Sequence, residues 1–353
     1  MTVNQSWPIS LNNSFVNHTG ENPSAVYIFT PAGFRAKLVL CFMFTSMTVT
    51  GILGNLLLLL YLRNDNLKKR ENLRGRMYSS CFMKNLHLSL RNLALSDLFT
   101  SIFLPFTCIQ VSFDVFQSGW TCKMVRYSAI VFVFTTINIM VVISLEKYLS
   151  TRKTPRTSSV SSVTKMMKVA WILGIIWAGL SSVTFEGQRK DINATHFTII
   201  CMYRKHFYPF PMMFIIISVQ FVAPYLFITF ANVSLVTAMW RRSHRTLACN
   251  SVNDALKAKL IALRIRGITL VVTIAITNLI INFFYISFLV YNQISQSSLD
   301  FQTDYTLRYA SAAIGQLNSS TNVVIYFVQM KDFRKFLKKL FCPRDNNIQN
   351  REF

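Results

Sequence analysis

Two places in this sequence put ionisable side chains in apolar surroundings. Asp97 stands within a long apolar stretch, and the pair Glu146-Lys147 lies at the end of another. Burying an ionised carboxylate without a partner is costly. Oxygen ligands suit a hard cation, and a paired acid and base suit a switch between alternative contacts. Asp97 therefore requires a partner, such as a hard cation or hydrogen-bonding groups around a protonated carboxyl, and Glu146 and Lys147 can neutralise each other.

Motifs of catalytic sites are absent from the sequence. It has no H-E-x-x-H zinc helix, no G-x-S-x-G nucleophile turn and no glycine-rich phosphate loop. Its five histidines are scattered without the spacing of a metal site. We therefore expect a protein that is not an enzyme and holds no cofactor or metal, apart from a cation at Asp97.

Long apolar segments must position these residues. The chain has 353 residues, of which 52% are hydrophobic and only 14% charged, whereas soluble domains carry about 25% charged residues. A membrane-spanning helix needs about 20 mostly apolar residues. Seven segments qualify: 37–62, 86–111, 123–146, 168–186, 210–240, 267–291 and 305–330. The seventh is the weakest because polar residues interrupt it at 316–322, and such a stripe must face protein or water.

This pattern predicts an all-α membrane protein, a bundle of seven transmembrane helices. Residues 333–341 add a short amphipathic helix that would lie in the membrane interface. Lys and Arg number 37 against 14 Asp and Glu, a net charge of +23. Most of this basic charge falls in alternate connections and in the C-terminal tail, which places those segments in the cytosol. Topology and anionic lipid therefore explain the charge, and no nucleic-acid partner is expected.

We expect a multi-pass protein of the plasma membrane with its N-terminus outside and its C-terminus in the cytosol. The predicted divisions are an extracellular glycosylated tail (1–36), a seven-helix domain (37–330), and a cytosolic amphipathic helix and tail (331–353). N-x-[ST] acceptors on the outer side are Asn4, Asn12, Asn17 and Asn193. Cys342 follows the basic amphipathic stretch and is a candidate for palmitoylation, with an unmodified thiol as the alternative.

Local motifs occur in a consistent order along the seven segments. They are Gly54-Asn55, LALSD at 93–97 followed by Pro105, WTC at 120–122, Trp171, FVAP at 221–224, NSSTNVVIY at 318–326 and DFRKF at 332–336. Together they resemble the motifs of the rhodopsin-like (class A) G-protein-coupled receptors. The resemblance covers roughly residues 37–342, and the order and spacing of the motifs make it specific.

The resemblance implies several roles. Cys122 and Cys201 lie on the oxidising side, where topology alone gives their pairing only modest support, and the family pattern implies a disulfide between them. Asp97 would bind an allosteric sodium ion with the polar side chains Thr136, Asn318, Ser319 and Asn322. The alternative is a protonated Asp97 that is hydrogen-bonded to Asn318 or Asn322. Residues implied for activation and transducer contact are Glu146, Lys147, Tyr148 and Tyr326.

Several positions depart from the family pattern. Lys147 replaces the arginine of D/E-R-Y, and lysine lacks the planar fork of a guanidinium. Val323 replaces the proline of the seventh helix, and Asn232 stands where the fifth helix has tyrosine. Ile280 and Asn282 replace the tryptophan and proline of the sixth helix, which should therefore kink less.

The inner ends of helices three and six suggest how the resting state is held. Ala262 stands where an acid would join helix six to helix three, which predicts raised basal activity. The alternative interpretation of Glu146 and Lys147 is a charge pair at the membrane interface, with Lys147 snorkelling to the headgroups.

The resemblance implies a cell-surface receptor that binds an extracellular ligand and signals to a heterotrimeric G protein, with arrestin as a further partner. Ala129 replaces the aspartate of amine receptors, which argues against a biogenic amine. Gln316 replaces the lysine that binds retinal in opsins. A peptide, a lipid and an anionic small molecule remain open. The alternative functions are a signalling-impaired decoy or heteromer partner and, less favoured because no internal repeat is found, a transporter.

Overall fold

The computed structural model describes residues 25–29, 33–72, 80–113, 119–151, 158–203, 209–246, 254–294 and 301–341. The helices are α1 (Phe34–Asn72), α2 (Ser80–Ser112), α3 (Gly119–Thr151), α4 (Val160–Val183), α5 (Pro209–Ile217), α6 (Ala223–Thr246), α7 (Asp254–Ile294), α8 (Phe301–Gln329) and α9 (Lys331–Phe341). The strands are β1 (Val26–Tyr27), β2 (Phe185–Asn193) and β3 (His196–Tyr203). The predicted modification sites Asn4, Asn12, Asn17 and Cys342 lie outside the described residues.

Within the described ranges, six helical spans are long and apolar enough to cross a membrane. They are Phe34–Asn64, Cys81–Ser112, Gly119–Ser150, Val160–Val183, Phe214–Arg241 and Arg264–Tyr291. These six match the first six predicted segments. Helix α8 occupies the seventh but falls short of the same apolar standard, because its polar residues lower its mean hydropathy. Its polar side chains are instead buried against the other helices.

The predicted bounds of the fourth segment, 168–186, were wrong at both ends. Helix α4 begins at Val160, because the Ser159 side chain accepts a hydrogen bond from the Ser162 amide (3.2 Å) and caps the first turn. It ends at Val183, since Phe185 already belongs to β2.

The fifth and sixth spans show opposite effects of proline. Pro224 lacks an amide hydrogen and its ring crowds the carbonyl four residues earlier. The backbone accommodates it with a π-helical turn, Ser218–Val222, between α5 and α6. Helix α7 has no proline and continues without interruption through Asn282 for 41 residues, as the sequence predicted.

A small sheet covers one end of the bundle, called here the hairpin end. Strands β2 and β3 form an antiparallel hairpin whose turn follows Asn193, and β1 pairs in parallel with β3. The opposite end carries α9 and is called the α9 end. Phe333 of α9 is buried there, with its ring 5.6 Å from that of Tyr61 in α1. The basic side chains Lys335, Lys338 and Lys339 of α9 are exposed.

Close helix packing depends on small residues. An added methyl at Gly174 of α4 would overlap the backbone of Thr135 in α3, whereas Gly179 of the same helix has open space around its Cα. We expect Gly174→Ala to lower the free energy of unfolding by about 1–3 kcal/mol through overpacking. The measurement is the thermal unfolding of purified receptor. Gly179→Ala is the matched control, expected to be neutral or slightly stabilising; equal stability of the two variants would contradict the prediction.

Candidate ligand cavity and polar core

A large cavity lies between α3, α5, α7 and α8 below the hairpin. It contains about 1120 Å³ of empty space, part of it continuous with solvent. Its walls are mainly apolar and include Ile130, Val133, Phe134, Ile216, Phe221, Phe288 and Leu289. Arg126 and Arg308 line it toward the hairpin, and Asn282 and Gln316 line its deep end. A pocket with this composition suits a largely apolar ligand held by a few polar contacts.

A disulfide joins Cys122 of α3 to Cys201 of β3, with the two Cα atoms 5.5 Å apart. Both cysteines are buried against Val125, Phe185 and Ile199. The Arg126 guanidinium lies over the Phe185 ring at 4.8 Å, and its Nη2 donates to the Cys201 carbonyl at 3.3 Å. The bond therefore fixes β3 and Arg126 together at the mouth of the cavity.

A second, smaller cavity lies next to Asp97, with about 260 Å³ of empty space. Four of the predicted sodium-site residues line it: Asp97, Thr136, Asn318 and Ser319. The fifth, Asn322, is fully buried and donates from Nδ2 to Asp97 Oδ2 at 2.8 Å. The structure thus brings the whole predicted set together between α2, α3 and α8.

The oxygen atoms around Asp97 suit a hard cation. Thr136 Oγ1 lies 2.9 Å from Ser96 Oγ. The side-chain oxygens of Asn318 and Asn322 are buried and accept no hydrogen bond from the described residues. Buried acceptors without donors are unfavourable, and Na⁺ in this cavity would satisfy Asn318 while neutralising the carboxylate. The Asn322 hydrogen bond is also compatible with the alternative of a protonated Asp97.

Sequence analysis missed the function of the polar residues in α7. Tyr225 Oη donates to Asn278 Oδ1 at 2.5 Å, and Asn282 Nδ2 donates to the same oxygen at 2.7 Å. Asn282 also lines both cavities, together with Gly315 and Gln316. Two asparagines four residues apart share one helix face, so this cluster was readable from the sequence. Asn282, which stands where the family has proline, therefore forms a polar boundary shared by the two cavities.

The Glu146-Lys147 pair is buried, so the interpretation of Lys147 as a snorkelling side chain was wrong. Lys147 is 0% exposed, and its Nζ lies 2.6 Å from Glu146 Oε2 and 4.0 Å from the centre of the Phe82 ring. Asn85 Nδ2 donates to Glu146 Oε1 at 3.2 Å and to the Ser158 carbonyl at 2.9 Å. A buried lysine finds its attraction in this carboxylate and ring face rather than in the headgroups.

The remaining predicted switch residues lie near the same end. Tyr326 is fully buried, and the ring of Tyr148 packs 5.8 Å from that of Phe230. Asn232 donates to Ser144 Oγ at 3.4 Å and so joins α6 to α3. Together with the hydrogen bond from Asn85 to Glu146, this contact connects α3 with both α2 and α6.

Comparison with known proteins agrees with this geometry. The sequence model of the family described as 7 transmembrane receptor (rhodopsin family) matches residues 77–326. The chain belongs to the rhodopsin family of seven-transmembrane receptors. A relative of this receptor is galanin receptor 2a of Danio rerio, 21% identical over 343 residues that cover 92% of this chain and 84% of the relative.

Family membership indicates a multi-pass receptor of the plasma membrane. The matched range contains the apolar cavity, the polar core around Asp97 and the Glu146-Lys147 pair. It also contains every departure named above, including Lys147, Asn282 and Val323. The receptor therefore keeps the family frame while several switch positions carry different side chains.

Proposed function

We propose that this receptor binds an extracellular ligand in the large cavity and transmits a conformational change to a heterotrimeric G protein at the α9 end. One observation carries the proposal. Asn282, Gly315 and Gln316 line both the ligand cavity and the cavity beside Asp97. A ligand that displaces α7 or α8 at this boundary must therefore change the polar core.

The path from the polar core to the α9 end follows α8. Asn322 binds Asp97, and Tyr326 is buried one turn further along the helix. Near the end of α8, Gln329 Nε2 donates to Thr273 Oγ1 of α7 at 2.8 Å. A shift of α7 relative to α8 would break this contact, and the Glu146-Lys147 pair of α3 lies at the same end of the bundle.

The experiment is recruitment of each class of G protein, and of arrestin, measured by energy transfer in cells that express the receptor. Because the Danio rerio relative is a galanin receptor, galanin is the first probe, followed by panels of peptides, lipids and anionic small molecules. Ligand-dependent recruitment of any G protein supports the proposal. Binding without recruitment of any transducer contradicts it.

A signalling-impaired decoy or heteromer partner is the second candidate function. The observation that favours it is the complete burial of Lys147 beneath Phe82. Lysine lacks the forked donors of arginine, which weakens a polar contact with a transducer. Lys147→Arg separates the candidates: gained or strengthened recruitment in the variant indicates that the native residue limits coupling, whereas an unchanged response supports the main proposal.

The receptor is proposed to hold Na⁺ at Asp97, with Thr136, Asn318, Ser319 and Asn322 supplying oxygen atoms. We expect Na⁺ to raise the unfolding temperature of purified wild-type receptor by a few degrees relative to choline, about 1.4 kcal/mol when Na⁺ is tenfold above its Kd. Asp97→Asn should abolish this difference. Asp304→Asn removes another buried acid outside the cavity and should preserve it. An equal Na⁺ effect in wild type and Asp97→Asn would disprove the site.

The proposed orientation places the hairpin end outside the cell. Asn193 is exposed beside the hairpin turn, and its side-chain oxygen accepts a hydrogen bond from the Thr195 amide at 3.0 Å. We expect this Asn193-Ala194-Thr195 sequon to carry a glycan. Asn193→Gln should remove one step of the mass shift that deglycosylation produces on a gel. Thr195→Ser retains the sequon and is the control. An unchanged shift in Asn193→Gln would contradict glycosylation at this residue.

The α9 helix and Cys342 complete the proposal on the cytosolic side. Helix α9 packs Phe333 into the bundle and exposes a row of lysines. This arrangement suits an interface of anionic lipid, which attracts basic side chains near its surface. A palmitoyl group on Cys342 would strengthen that attachment.

A further inference from the structure

The guanidinium of Arg126 is a basic group at the ligand cavity with unused hydrogen-bonding capacity. An arginine has five N–H donors, and the Cys201 carbonyl accepts one from Arg126. None of the ion pairs between described residues includes Arg126. Arg126 is partly buried in the wall of this largely apolar cavity, and an anion that enters from the cavity would stabilise its charge.

The second arginine of the wall is already engaged. Arg308 Nη2 lies 2.9 Å from Asp304 Oδ2, and Lys190 Nζ lies 3.2 Å from the same oxygen. Asp304 is thus shared by two cations, whereas Arg126 belongs to none of the ion pairs between described residues. Attraction for an anion therefore centres on Arg126, whose planar fork matches the two oxygens of one carboxylate.

The deep end of the cavity offers acceptors instead. Gln316 Nε2 donates to the Ala129 carbonyl at 3.2 Å, and Asn282 Nδ2 donates to Asn278 Oδ1 at 2.7 Å. The oxygen atoms of these two amides, Asn282 Oδ1 and Gln316 Oε1, are buried and accept no hydrogen bond from the described residues. Leaving buried acceptors unpaired is costly, so a ligand with an N–H or O–H at this depth gains affinity.

The two polar ends are separated by a defined depth. Arg126 and Val133 both belong to α3 and line the cavity, and Val133 also reaches the cavity beside Asp97. At a rise of 1.5 Å per residue, they lie about 10 Å apart along the helix. Between them the wall is apolar, formed by Ile130, Phe134 and Ile216 among others.

We propose that the ligand of this receptor carries a carboxylate that binds Arg126, an apolar body about 10 Å long, and a hydrogen-bond donor that reaches Asn282 and Gln316. The inference rests on the proposed receptor function and specifies the chemistry of its ligand. The carboxylate belongs either to a medium-chain hydroxy acid or to the C-terminus of a peptide whose last residues enter the cavity. Both sources present the same anion, body and donor.

Direct binding to purified receptor in nanodiscs tests the inference without signalling. The probes are 8-hydroxyoctanoic acid, its primary amide, octanoic acid and octyl phosphate, together with the tripeptide Ser-Phe-Leu as free acid and as C-terminal amide. We expect one acid, at least, to bind about 10- to 100-fold more tightly than its amide. The pair that shows the larger ratio identifies the source. Equal binding of acid and amide in both pairs, or tighter binding of octyl phosphate, would overturn the proposal.

Variants assign the selectivity to named side chains. Arg126→Gln should abolish the preference for acid over amide and leave the binding of the amide unchanged. Arg126→Lys keeps the positive charge but lacks the planar guanidinium, so it should reduce the preference for the acid only partially. This variant replaces Arg126→Gln in the test if the glutamine variant fails to fold. Arg189→Gln is the matched control, since Arg189 lies in β2 outside the cavity wall and pairs with Asp191; its preference should equal that of wild type. Retention of the wild-type preference in Arg126→Gln would also overturn the assignment.

The deep contact has its own readout. Asn282→Leu should remove the advantage of 8-hydroxyoctanoic acid over octanoic acid while preserving the preference of acid over amide. An undiminished hydroxyl advantage would show that the donor contacts another group. Signalling is measured separately. Tighter binding of the acids without recruitment of any G protein contradicts the proposed function and supports this inference. Recruitment by ligands that bind without a preference for the acid supports the proposed function and contradicts this inference.

Discussion

Replacement of Cys122 by serine is expected to reduce the amount of folded receptor at the cell surface by about tenfold or more. The disulfide closes a loop of 79 residues that contains α4 and the hairpin. Cross-linking a loop of this length lowers the entropy of the unfolded chain and contributes about 4 kcal/mol. The measurement is surface labelling of intact cells together with the unfolding temperature of the purified protein.

The disulfide prediction has a control variant and a double-mutant comparison. Cys108→Ser changes a cysteine that forms no disulfide and should leave surface expression close to wild type. Cys201→Ser alone, and both substitutions together, should cost as much as Cys122→Ser, because each removes the same bond. A double variant that is clearly worse than either single variant would show that the cysteines contribute independently. The receptor that still folds should also bind ligand with lower affinity than wild type, because Cys201 positions Arg126.

Replacement of Glu146 by alanine is expected to raise ligand-independent signalling and to lower the stability of the resting receptor. It leaves the fully buried Lys147 without the carboxylate that lies 2.6 Å away. Removing one partner of a buried ion pair costs about 3–5 kcal/mol. Conformations that let Lys147 reach water become more populated as a result. G-protein recruitment without ligand, at matched surface expression, and the unfolding temperature measure the two effects.

Neighbouring substitutions separate charge from packing at this site. Asn85→Ala removes the hydrogen bonds to Glu146 and to the Ser158 carbonyl but keeps the ion pair. It should therefore cost about 1–3 kcal/mol, less than Glu146→Ala. The double variant Glu146→Ala/Lys147→Ala removes both buried charges and should recover much of the lost stability. If Glu146→Ala matches wild type in both basal signalling and unfolding temperature, the pair does not hold the resting state.

The location of this contact bears on the basal activity expected from Ala262. Among the described residues, Glu146 contacts Asn85 of α2 and Lys147 of α3. A contact on the α2 side holds α3 without any acid on α7. Raised basal activity in wild type therefore stays a prediction, and Glu146→Ala tests how much of it this contact suppresses.

Much of the architecture was predictable from local composition. Apolar length predicted the spans, and polar residues in the seventh segment predicted that α8 packs inside the bundle. The family resemblance then brought Asp97 and Asn322 together before any distance was known. These features depend on residue type and spacing along single helices, which a sequence displays directly.

Other features depend on contacts between helices and were missed. Burial of Lys147 requires the Phe82 ring and the packing of α2 against α3, neither of which follows from the sequence around Lys147. The hairpin was also missed, because residues 186–191 of its first strand are all polar or glycine and lack the alternation that predicts a strand. Asn282 was noted only as a missing proline. Its i,i+4 spacing from Asn278 was readable in the sequence, but its position between two cavities appears only in the assembled bundle.

Because α7 is one long continuous helix, a tilt moves its two ends by different distances. From Asn282, the helix extends about 18 Å to Ile294 and about 42 Å to Asp254, at 1.5 Å per residue. A tilt centred near Asn282 would therefore move the α9 end of the helix more than twice as far as the hairpin end. A helix with a proline kink would bend at the kink, so the α9 end would move less. Without a proline in its middle, α7 would therefore turn a small displacement beside the cavity into a larger displacement at the α9 end.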